Sequence, residues 1–270
     1  MDQLQIKDLE IFAYHGLFPS EKELGQKFLV SLKAKYNMKS AALCENLKES
    51  VDYGVLCRKI TKYLQENTFD LIETCAFKTL LEVFRECPVI FEAELSIKKP
   101  WAPIGLPLDY AEVSVHRKRH RYFLSLGSNL GNREENLKRA LELLGNEAQI
   151  KKVSSLYETK PWGKTEQPDF INQAIEVVSY EEPEDFLKIL LSIEKTLGRE
   201  RHEKWAARTL DIDILFCDDE IIYTDELKIP HPYIHEREFV LNPMAEIAPF
   251  FVHPIYRKQI RELLSEIMET

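Results

Sequence analysis

The sequence has no long apolar segment, no internal repeat and no low-complexity tract. None of its apolar runs approaches the ~20 residues of a membrane-spanning helix, so we expect no membrane-inserted part. The first residues lack the basic and apolar regions of a secretory signal peptide. Repeats of about 20–50 residues, which build solenoids and propellers, are absent as well. The 270 residues are therefore expected to form one large or two ordinary soluble domains.

Cysteine is present but not in close pairs. The five cysteines lie at positions 44, 57, 75, 87 and 217, which is an odd number without a paired spacing. This pattern fits buried thiols in a reducing compartment better than a disulfide framework or a zinc site. We therefore predict a cytoplasmic protein.

An excess of positive charge is also lacking. The chain has 36 Lys and Arg against 45 Asp and Glu, a formal net charge of −9. This balance argues against a general nucleic-acid-binding protein. Any binding of phosphates must therefore depend on locally placed basic side chains.

The first part of the chain has the pattern of an antiparallel sheet covered by two helices. Helical periodicity covers 54–66 and 71–86, and alternating strands flank it at 3–13, 27–38, 90–98 and 109–116. The second part alternates helices near 133–145 and 183–196 with strands near 122–126, 150–158, 170–180 and 210–216. That order predicts a ferredoxin-like α+β sandwich, so the whole chain is predicted to be of the α+β class.

A basic run separates the two parts. Residues 117–121 read Arg-Lys-Arg-His-Arg, which is typical of a short solvated connector. We place the domain boundary there and predict domains at 1–118 and 119–270. The alternative is one continuous strand with a charged middle.

Two aspartates stand at alternate positions of an apolar segment. Asp211 and Asp213 would share one face of a strand, with Ile212 on the other. Neighbouring carboxylates repel unless a cation lies between them, and oxygen ligands at this spacing suit Mg²⁺, which takes further ligands from substrate phosphates. Positive groups for such phosphates lie just upstream, at Arg199, Arg201 and Arg208. The alternative is a charged strand face turned to solvent.

The motif around these aspartates is accompanied by others in a fixed order. They lie at 123–131, 159–163, 167–172, 197–201, 203–214 and 229–233. Together they resemble the 6-hydroxymethyl-7,8-dihydropterin pyrophosphokinase family of folate biosynthesis, over about residues 121–270. The sequence departs from the family pattern at Ala206 and Ala207, where Gly and Pro are common, at Phe170, where Tyr is common, and at Pro232, where an aromatic is common. We expect these departures to affect loop closure and rate rather than the type of reaction.

This resemblance implies ATP as co-substrate and two Mg²⁺ ions held by Asp211 and Asp213. It implies that the pterin is bound by Asn172, which reads the ring edge, by Phe170 and Phe239, which stack on it, and by Trp162 and Thr159. For the two phenylalanines the alternative is core packing. It implies ATP contacts from Arg199, Arg201, Arg208, Trp205, His231, Arg237 and Glu194, and it makes Arg201 and Arg208 the catalytic arginines of a closing loop.

The first half carries a second set of ordered segments, at 14–16, 21–26, 51–54, 71–73 and 99–104. Together they resemble the dihydroneopterin aldolase family, which has the tunnel fold, over residues 1–118. The product of the aldolase reaction is the substrate of the pyrophosphokinase, so the two resemblances support each other. They indicate one bifunctional enzyme.

Retro-aldol cleavage of dihydroneopterin needs a proton donor at N5 of the pterin and a base for the side-chain hydroxyl. Because the ring C=N group accepts the electrons, no metal and no Schiff base are expected. The resemblance makes Lys99 the acid/base residue, Glu21 its partner and Tyr53 an aid to proton transfer. Glu73 would anchor the pterin, although a helix N-terminus would also stabilise a carboxylate there. His15 is interpreted as structural.

The expected partners are pterin substrates and ATP, without nucleic acid or membrane. Open sheet edges and the tunnel fold predict a homo-oligomer, tetramer or octamer, formed through the N-terminal domain with shared aldolase sites. Two alternatives stay open at this point. In the first, the second half is a kinase and the first half is only an assembly scaffold that binds a pterin. In the second, the whole chain is a purine- or pterin-binding regulatory protein.

Overall fold

The computed structural model of the protein describes residues 2–161, 167–198 and 209–269. The described chain divides into two compact units, with the division between Lys118 and Arg119. No helix in these three segments is both long and apolar enough to cross a membrane. All five cysteines are free thiols, but only Cys75 and Cys217 are buried, so the expectation of uniformly buried thiols was wrong.

The first unit is a four-stranded antiparallel sheet with order β1-β2-β3-β4. Its elements are β1 (Gln3–Ala13), α1 (Pro19–Leu24), β2 (Gln26–Lys35), α2 (Lys39–Cys44), α3 (Tyr53–Glu66), α4 (Ile72–Glu86), β3 (Glu92–Lys99) and β4 (Ala111–Lys118). The predicted strand-strand-helix-helix-strand-strand order is confirmed. The short helices α1 and α2 were not predicted from the sequence.

The two long helices cover one face of this sheet. In β2, alternate side chains from Phe28 to Ala34 are buried, which is the period of a strand with one face in a core. In α3 the buried positions Leu56, Ile60 and Leu64 recur every four residues, as on one stripe of a helix. α3 contacts β1, while α4 contacts β3 and β4. The buried side chains of the strands and of the helices therefore form one apolar layer between the sheet and the helices.

The second unit is built on a five-stranded antiparallel sheet with order β6-β8-β5-β9, in which β7 also pairs with β8. Its elements are β5 (His120–Ser128), α5 (Arg133–Glu147), β6 (Gln149–Val153), β7 (Tyr157–Thr159), β8 (Phe170–Ser179), α6 (Pro183–Thr196), β9 (Asp211–Cys217), β10 (Ile222–Tyr223), β11 (Lys228–Ile229), α7 (Glu238–Ile247) and α8 (Ile260–Met268). This is the strand order of the ferredoxin-like sandwich, and the fold class is confirmed.

Each face of the second sheet has its own apolar core. On one face, side chains of α5 and α6 such as Leu137 and Phe186 pack against Leu124. On the other face, side chains of α7 such as Met244 pack against Phe123. α7 and α8 contribute the helical side chains of this second core, and neither helix was predicted.

Two sequence expectations about the strands were wrong. The strand expected at 150–158 is two separate strands, β6 and β7, which both pair with β8. The basic run is not a solvated connector, because β4 continues to Lys118 and β5 begins at His120. The aliphatic stems and guanidinium groups of this run lie over aromatic rings, with Arg117 5.0 Å from the Phe77 ring centre.

Candidate active sites

An ion pair between a lysine and a glutamate is the centre of the first site. The ammonium of Lys99, the last residue of β3, lies 2.5 Å from Oε1 of Glu21 in α1, and both side chains are largely buried. The preceding lysine points to the other face of the strand, as expected for alternation, and its Nζ lies 2.9 Å from Oδ1 of Asp8. The structure therefore brings together Lys99 and Glu21, which the sequence paired only through a resemblance.

Further groups hold the carboxylate of Glu21 in place. Its Oε1 accepts a hydrogen bond from Nε2 of Gln26 at 3.2 Å, and its Oε2 accepts one from the backbone N–H of Phe18 at 3.1 Å. Burial raises the pKa of Glu21, but the hydrogen bonds from Lys99, Phe18 and Gln26 outweigh burial, so its pKa lies below the ordinary value. Glu21 is therefore ionised at neutral pH and keeps Lys99 beside it.

Behind the pair lies His15, which was interpreted as structural. Its Nδ1 accepts a hydrogen bond from the backbone N–H of Phe69 at 3.3 Å, while the buried Nε2 has no hydrogen-bond partner in the part of the chain that the structure describes. Burial, and then the charge of Lys99, lower the pKa of His15 to about 4. His15 is therefore neutral at pH 7 and places an uncharged ring near the ion pair. His15 and Gln26 both lie inside the motif segments of the first half. Nothing in their spacing predicted these contacts with the ion pair and its surroundings.

Tyr53 and Glu73 stand apart from the ion pair. Tyr53 is the first residue of α3 and is 64% exposed, and Glu73 is exposed in the first turn of α4. Neither side chain forms a hydrogen bond or ion pair with Lys99 or Glu21 within the described segments. The position of Glu73 near a helix N-terminus also agrees with the alternative of dipole stabilisation.

Large apolar side chains surround the ion pair in sequence and are exposed. They precede Glu21 and follow Lys99, and their exposed fractions range from 51% to 70% for Leu17, Phe18, Trp101, Ile104 and Leu106. Single exposed apolar residues are ordinary on protein surfaces. Several large ones close in sequence to Glu21 and Lys99 are a feature that interaction surfaces share.

The second site lies on β9 and its neighbours. Asp211 and Asp213 are half-buried, whereas Ile212 and Ile214 are buried on the opposite face, so the predicted alternation of this strand is confirmed. The two carboxylates therefore share one face of the sheet.

The strand register places three site positions in one row across the sheet. Gly127 of β5 lies opposite Asp211 of β9 on one side and opposite Asn172 of β8 on the other. Residues paired in this way share a face. A Cβ atom at Gly127 would lie 3.2 Å from Oδ1 of Asn172, so the missing side chain leaves room between the amide and the carboxylate. In the next row, Ala174 and Ser125 are also small.

The amide of Asn172 is held in a fixed orientation. Its Nδ2 donates a hydrogen bond to Oγ1 of Thr159 at 2.7 Å, and Thr159 itself pairs with Phe170 across β7 and β8. A Cβ atom at Gly127 would be 3.8 Å from the Phe170 ring, so the ring borders the same space. The structure therefore brings together three of the five residues expected to bind the pterin.

A histidine and an arginine adjoin the carboxylates. The backbone N–H of His231 donates to the carbonyl of Leu215 in β9 at 3.0 Å, which fixes this loop beside the strand. Burial, and then the charge of Arg237, lower the pKa of His231 to about 4, although the charge of Asp211 opposes this shift. The Arg237 guanidinium carbon lies 5.7 Å from the ring centre of Phe239, a partly buried residue of α7. His231 thus lies near both Asp211 and Arg237, two of the charged residues of the expected site.

Glu194 also lies against the strand that carries the two aspartates. It was expected to contact ATP, but its side chain is 1% exposed in α6, and its Oε1 accepts a hydrogen bond from the backbone N–H of Ile212 at 2.7 Å. Ile212 faces the core opposite the two aspartates. Glu194 therefore supports the backbone of β9 between the carboxylates, and its expected contact with ATP stays a prediction.

Five expected site residues lie outside the described residues. They are Trp162, Arg199, Arg201, Trp205 and Arg208.

Comparisons with known proteins agree with the division into two units. The family model of 7,8-dihydro-6-hydroxymethylpterin-pyrophosphokinase matches residues 123–249, and that of dihydroneopterin aldolase matches residues 4–116. The 2-amino-4-hydroxy-6-hydroxymethyldihydropteridine pyrophosphokinase of Aquifex aeolicus is 40% identical over 144 residues, which cover 53% of this chain and 90% of that protein. Its counterpart in Bacillus subtilis is 45% identical over 127 residues, covering 46% of this chain and 76% of that protein.

A third relative matches both units. A folic acid synthesis protein of Dictyostelium discoideum is 31% identical over 284 aligned residues, which cover 94% of this chain but 43% of that protein. The fold and these matches thus define a two-domain α+β protein, in which a unit that matches an aldolase family model is followed by a unit that matches a pyrophosphokinase family model. More particularly, the chain belongs to the 6-hydroxymethyl-7,8-dihydropterin pyrophosphokinase family, and a dihydroneopterin aldolase domain precedes its kinase domain.

The geometry around Glu21 generates a prediction for Gly16. Gly16 has a φ of +150°, and a Cβ atom there would lie 2.4 Å from the carboxyl carbon of Glu21. Gly16→Ala is expected to lower the free energy of unfolding by about 3 kcal/mol or more, because backbone strain and a displaced buried ion pair add together. Urea unfolding measures this loss.

The control is Gly105→Ala. Gly105 also has a positive φ, +74°, but a Cβ atom there meets nothing within 4 Å. This variant should lose only the ~1–2 kcal/mol of a left-handed backbone. Equal losses in both variants would contradict the tight contact between Gly16 and Glu21.

Proposed function

We propose that the chain catalyses two consecutive steps of folate biosynthesis. In residues 1–118, 7,8-dihydroneopterin is cleaved to 6-hydroxymethyl-7,8-dihydropterin and glycolaldehyde. In residues 119–270, a pyrophosphoryl group passes from ATP to the new hydroxymethyl oxygen and AMP leaves. The observation that carries the proposal is that each unit presents the groups its reaction requires, the Lys99–Glu21 ion pair in one and the Asp211 and Asp213 face in the other.

The first reaction depends on proton transfer by Lys99. The side-chain hydroxyl of the substrate loses its proton, the C–C bond breaks, and the electron pair enters the ring C=N group while N5 gains a proton. Protonation of the remaining side-chain carbon, together with loss of the proton from N5, then restores the ring C=N group and gives the hydroxymethyl group, while the other fragment leaves as glycolaldehyde. Lys99 is placed for these transfers because Glu21 is ionised and keeps the ammonium at one position. Neither a metal nor a Schiff base is part of this proposal.

Recognition of the pterin in the first unit is assigned to Glu73. A pterin presents an amino group and a ring N–H side by side, and one carboxylate can accept a hydrogen bond from both. Tyr53 would assist proton transfer. Since both side chains are exposed and make no contact with Lys99 within the described chain, we propose that Tyr53 reaches the Lys99 site of a neighbouring subunit.

The second reaction depends on positioning and on neutralisation of charge. The donor set fits two Mg²⁺ ions, because Asp211 and Asp213 offer oxygen ligands on one rigid strand face above the space left by Gly127. When bound, the ions would neutralise the charges of the triphosphate. Asn172 would read the edge of the pterin with its amide, which Thr159 orients, and Phe170 and Phe239 would stack on the ring.

The triphosphate would meet His231 and Arg237 beside Asp211. His231 is neutral at pH 7, so it would donate a hydrogen bond rather than supply a charge. The remaining ATP contacts are proposed from the family resemblance for Arg199, Arg201, Arg208 and Trp205, and the pterin contact of Trp162 likewise. Arg201 and Arg208 would complete the charge neutralisation in the transition state.

A homo-oligomer formed through the first unit is part of the proposal. β1 and β4 each have one strand partner in the described chain, so both edges of this sheet remain open. The exposed apolar residues beside Glu21 and Lys99 supply a surface for such contacts. A tetramer or an octamer would close the sheets into a barrel, and a cytoplasmic location stays a prediction.

The function is tested with dihydroneopterin as the only pterin. The full chain, ATP and Mg²⁺ should together release glycolaldehyde and AMP. Release of glycolaldehyde without AMP would support the aldolase activity and contradict the pyrophosphokinase activity. Release of neither, from protein that is folded and oligomeric, would favour a binding protein and overturn the proposal.

Asp213→Asn should lower AMP formation by about 100-fold or more, a loss typical of removing a group that stabilises charge in the transition state. Glycolaldehyde release should stay near wild type because Asp213 belongs to the second unit. Asp225→Asn, a change of an exposed residue between β10 and β11, is the control and should leave both activities unchanged. A parallel loss of aldolase activity in folded Asp213→Asn would refute the separation of the sites.

Lys99→Ala should reduce aldolase turnover by about 10²–10⁴-fold, the usual contribution of a general acid or base. Calorimetry should show that dihydroneopterin still binds, because Glu73 is unchanged. Lys98→Ala is the matched control, since Lys98 pairs with Asp8 on the other strand face. If Lys99→Ala abolishes binding as well, Lys99 positions the substrate instead of transferring protons.

Chains carrying Tyr53→Phe and chains carrying Lys99→Ala are each expected to be inactive as aldolases. Refolded together in equal amounts, they should regain about a quarter of wild-type activity, because a quarter of randomly formed junctions combine two intact contributions. Each variant refolded alone serves as the control. No recovery in the mixture, or an active monomer by light scattering, would contradict shared sites.

A further inference from the structure

A second group of metal-binding side chains lies at the opposite end of β9 from Asp211. His120, the first residue of β5, is buried, and Cys217, the last residue of β9, is fully buried. Asp218 and Glu220 follow in a turn that is closed by a hydrogen bond from the Glu220 N–H to the Cys217 carbonyl at 2.9 Å. The end of β9 and this turn thus bring a thiol and two carboxylates close to one histidine.

The distances match those of a tetrahedral metal site. Nδ1 of His120 lies 3.2 Å from Oδ2 of Asp218, 3.5 Å from Sγ of Cys217 and 3.9 Å from Oε1 of Glu220. Bonds of ~2.1 Å to nitrogen and oxygen and ~2.3 Å to sulfur, at tetrahedral angles, give ligand separations of about 3.4–3.6 Å. A single N–H group on Nδ1 cannot serve three acceptors together, whereas one cation can bind the ligand atoms of His120, Cys217 and Asp218, which all lie within 4.8 Å of one another.

The surroundings of His120 resemble the outer shell of a metal site. Its other ring nitrogen, Nε2, lies 3.4 Å from Oε2 of Glu182 but forms no hydrogen bond with the described residues. Histidine ligands of metals usually donate their second N–H to a carboxylate, which fixes the ring. The Asp218 carboxylate is oriented as well, because its Oδ1 accepts a hydrogen bond from the backbone N–H of Arg121 at 3.1 Å.

We propose that His120, Cys217 and Asp218 form a Zn²⁺ site, with Glu220 as the fourth ligand once its partly exposed side chain turns toward the ion and with Glu182 as the carboxylate beside Nε2 of His120. A thiolate with imidazole and carboxylate ligands suits Zn²⁺ and does not suit Mg²⁺. The site is distinct from the Asp211 and Asp213 face, because six residues of strand, about 20 Å, separate Asp211 from Cys217. Its place at the junction of β5, β9 and the following turn gives it a structural role.

A nucleophilic role for Cys217 is the main competing explanation. A Cys-His-Glu arrangement along Cys217, His120 and Glu182 would have similar distances. However, Cys217 has no exposed surface, so a substrate cannot reach its sulfur atom. A cation can enter from the turn, where the side chains of Asp218 and Glu220 are 24% and 34% exposed.

The test measures metal binding by the full chain. The purified protein is stripped with a chelator, titrated with Zn²⁺ against a chromophoric chelator, and separately loaded with Co²⁺. The wild type should bind one Zn²⁺ that Cys217→Ser weakens by more than about 100-fold, and Glu182→Gln should weaken it by the ~10–100-fold of an outer-shell change. The Co²⁺ form should show the visible absorption and the sulfur charge-transfer band of a tetrahedral thiolate site.

Two controls separate this site from other thiols and carboxylates. Cys75→Ser changes the other buried cysteine, and Asp213→Asn changes the proposed Mg²⁺ face, so both should keep the tightly bound Zn²⁺. If Cys217→Ser does not fold, His120→Gln and the wild-type Co²⁺ spectrum decide. Equal Zn²⁺ affinity in wild type and Cys217→Ser, a Co²⁺ spectrum without a sulfur band, or rapid alkylation of Cys217 would overturn the proposal.

Discussion

The alternation of side chains along β-strands is the constraint on which both sites depend. A strand with one face in a core can offer only every second residue to a ligand. This rule separates Lys99 from Lys98, and it keeps Asp211 and Asp213 together while Ile212 anchors the strand. A shift of one residue in either strand would bury the reactive groups and expose the apolar ones. The cores therefore hold the reactive groups in register.

The same rule explains which features could be predicted from the sequence. The strand faces, the long helices and the ferredoxin-like order follow from periodicity, and the motif order indicated the residues of both sites. Contacts between distant segments have no local signal, so the support of Glu21 by Gln26, the role of Gly127 and the burial of Glu194 required the structure. α7 was missed because Pro243 interrupts its pattern.

The two units differ in how complete their sites are within one chain. In the second unit, adjacent strands bring the amide of Asn172 and the carboxylate of Asp211 into one row. In the first unit, the ion pair is buried, while Tyr53 and Glu73 remain exposed beside open sheet edges. This difference is the reason why we propose that a neighbouring subunit completes the first site, whereas the second site needs only one chain.

The row across Asn172, Gly127 and Asp211 also acts as a ruler for ligand length. Two strand spacings, about 10 Å, separate the backbone of Asn172, which we propose reads the pterin ring, from that of Asp211, which we propose lies beside the phosphates. Because a sheet cannot stretch, a molecule is selected by the distance between its recognised edge and its reactive oxygen. A compound that joins a flat heterocycle to an anionic group across this span would occupy both ends at once, while a shorter one would leave one end to water.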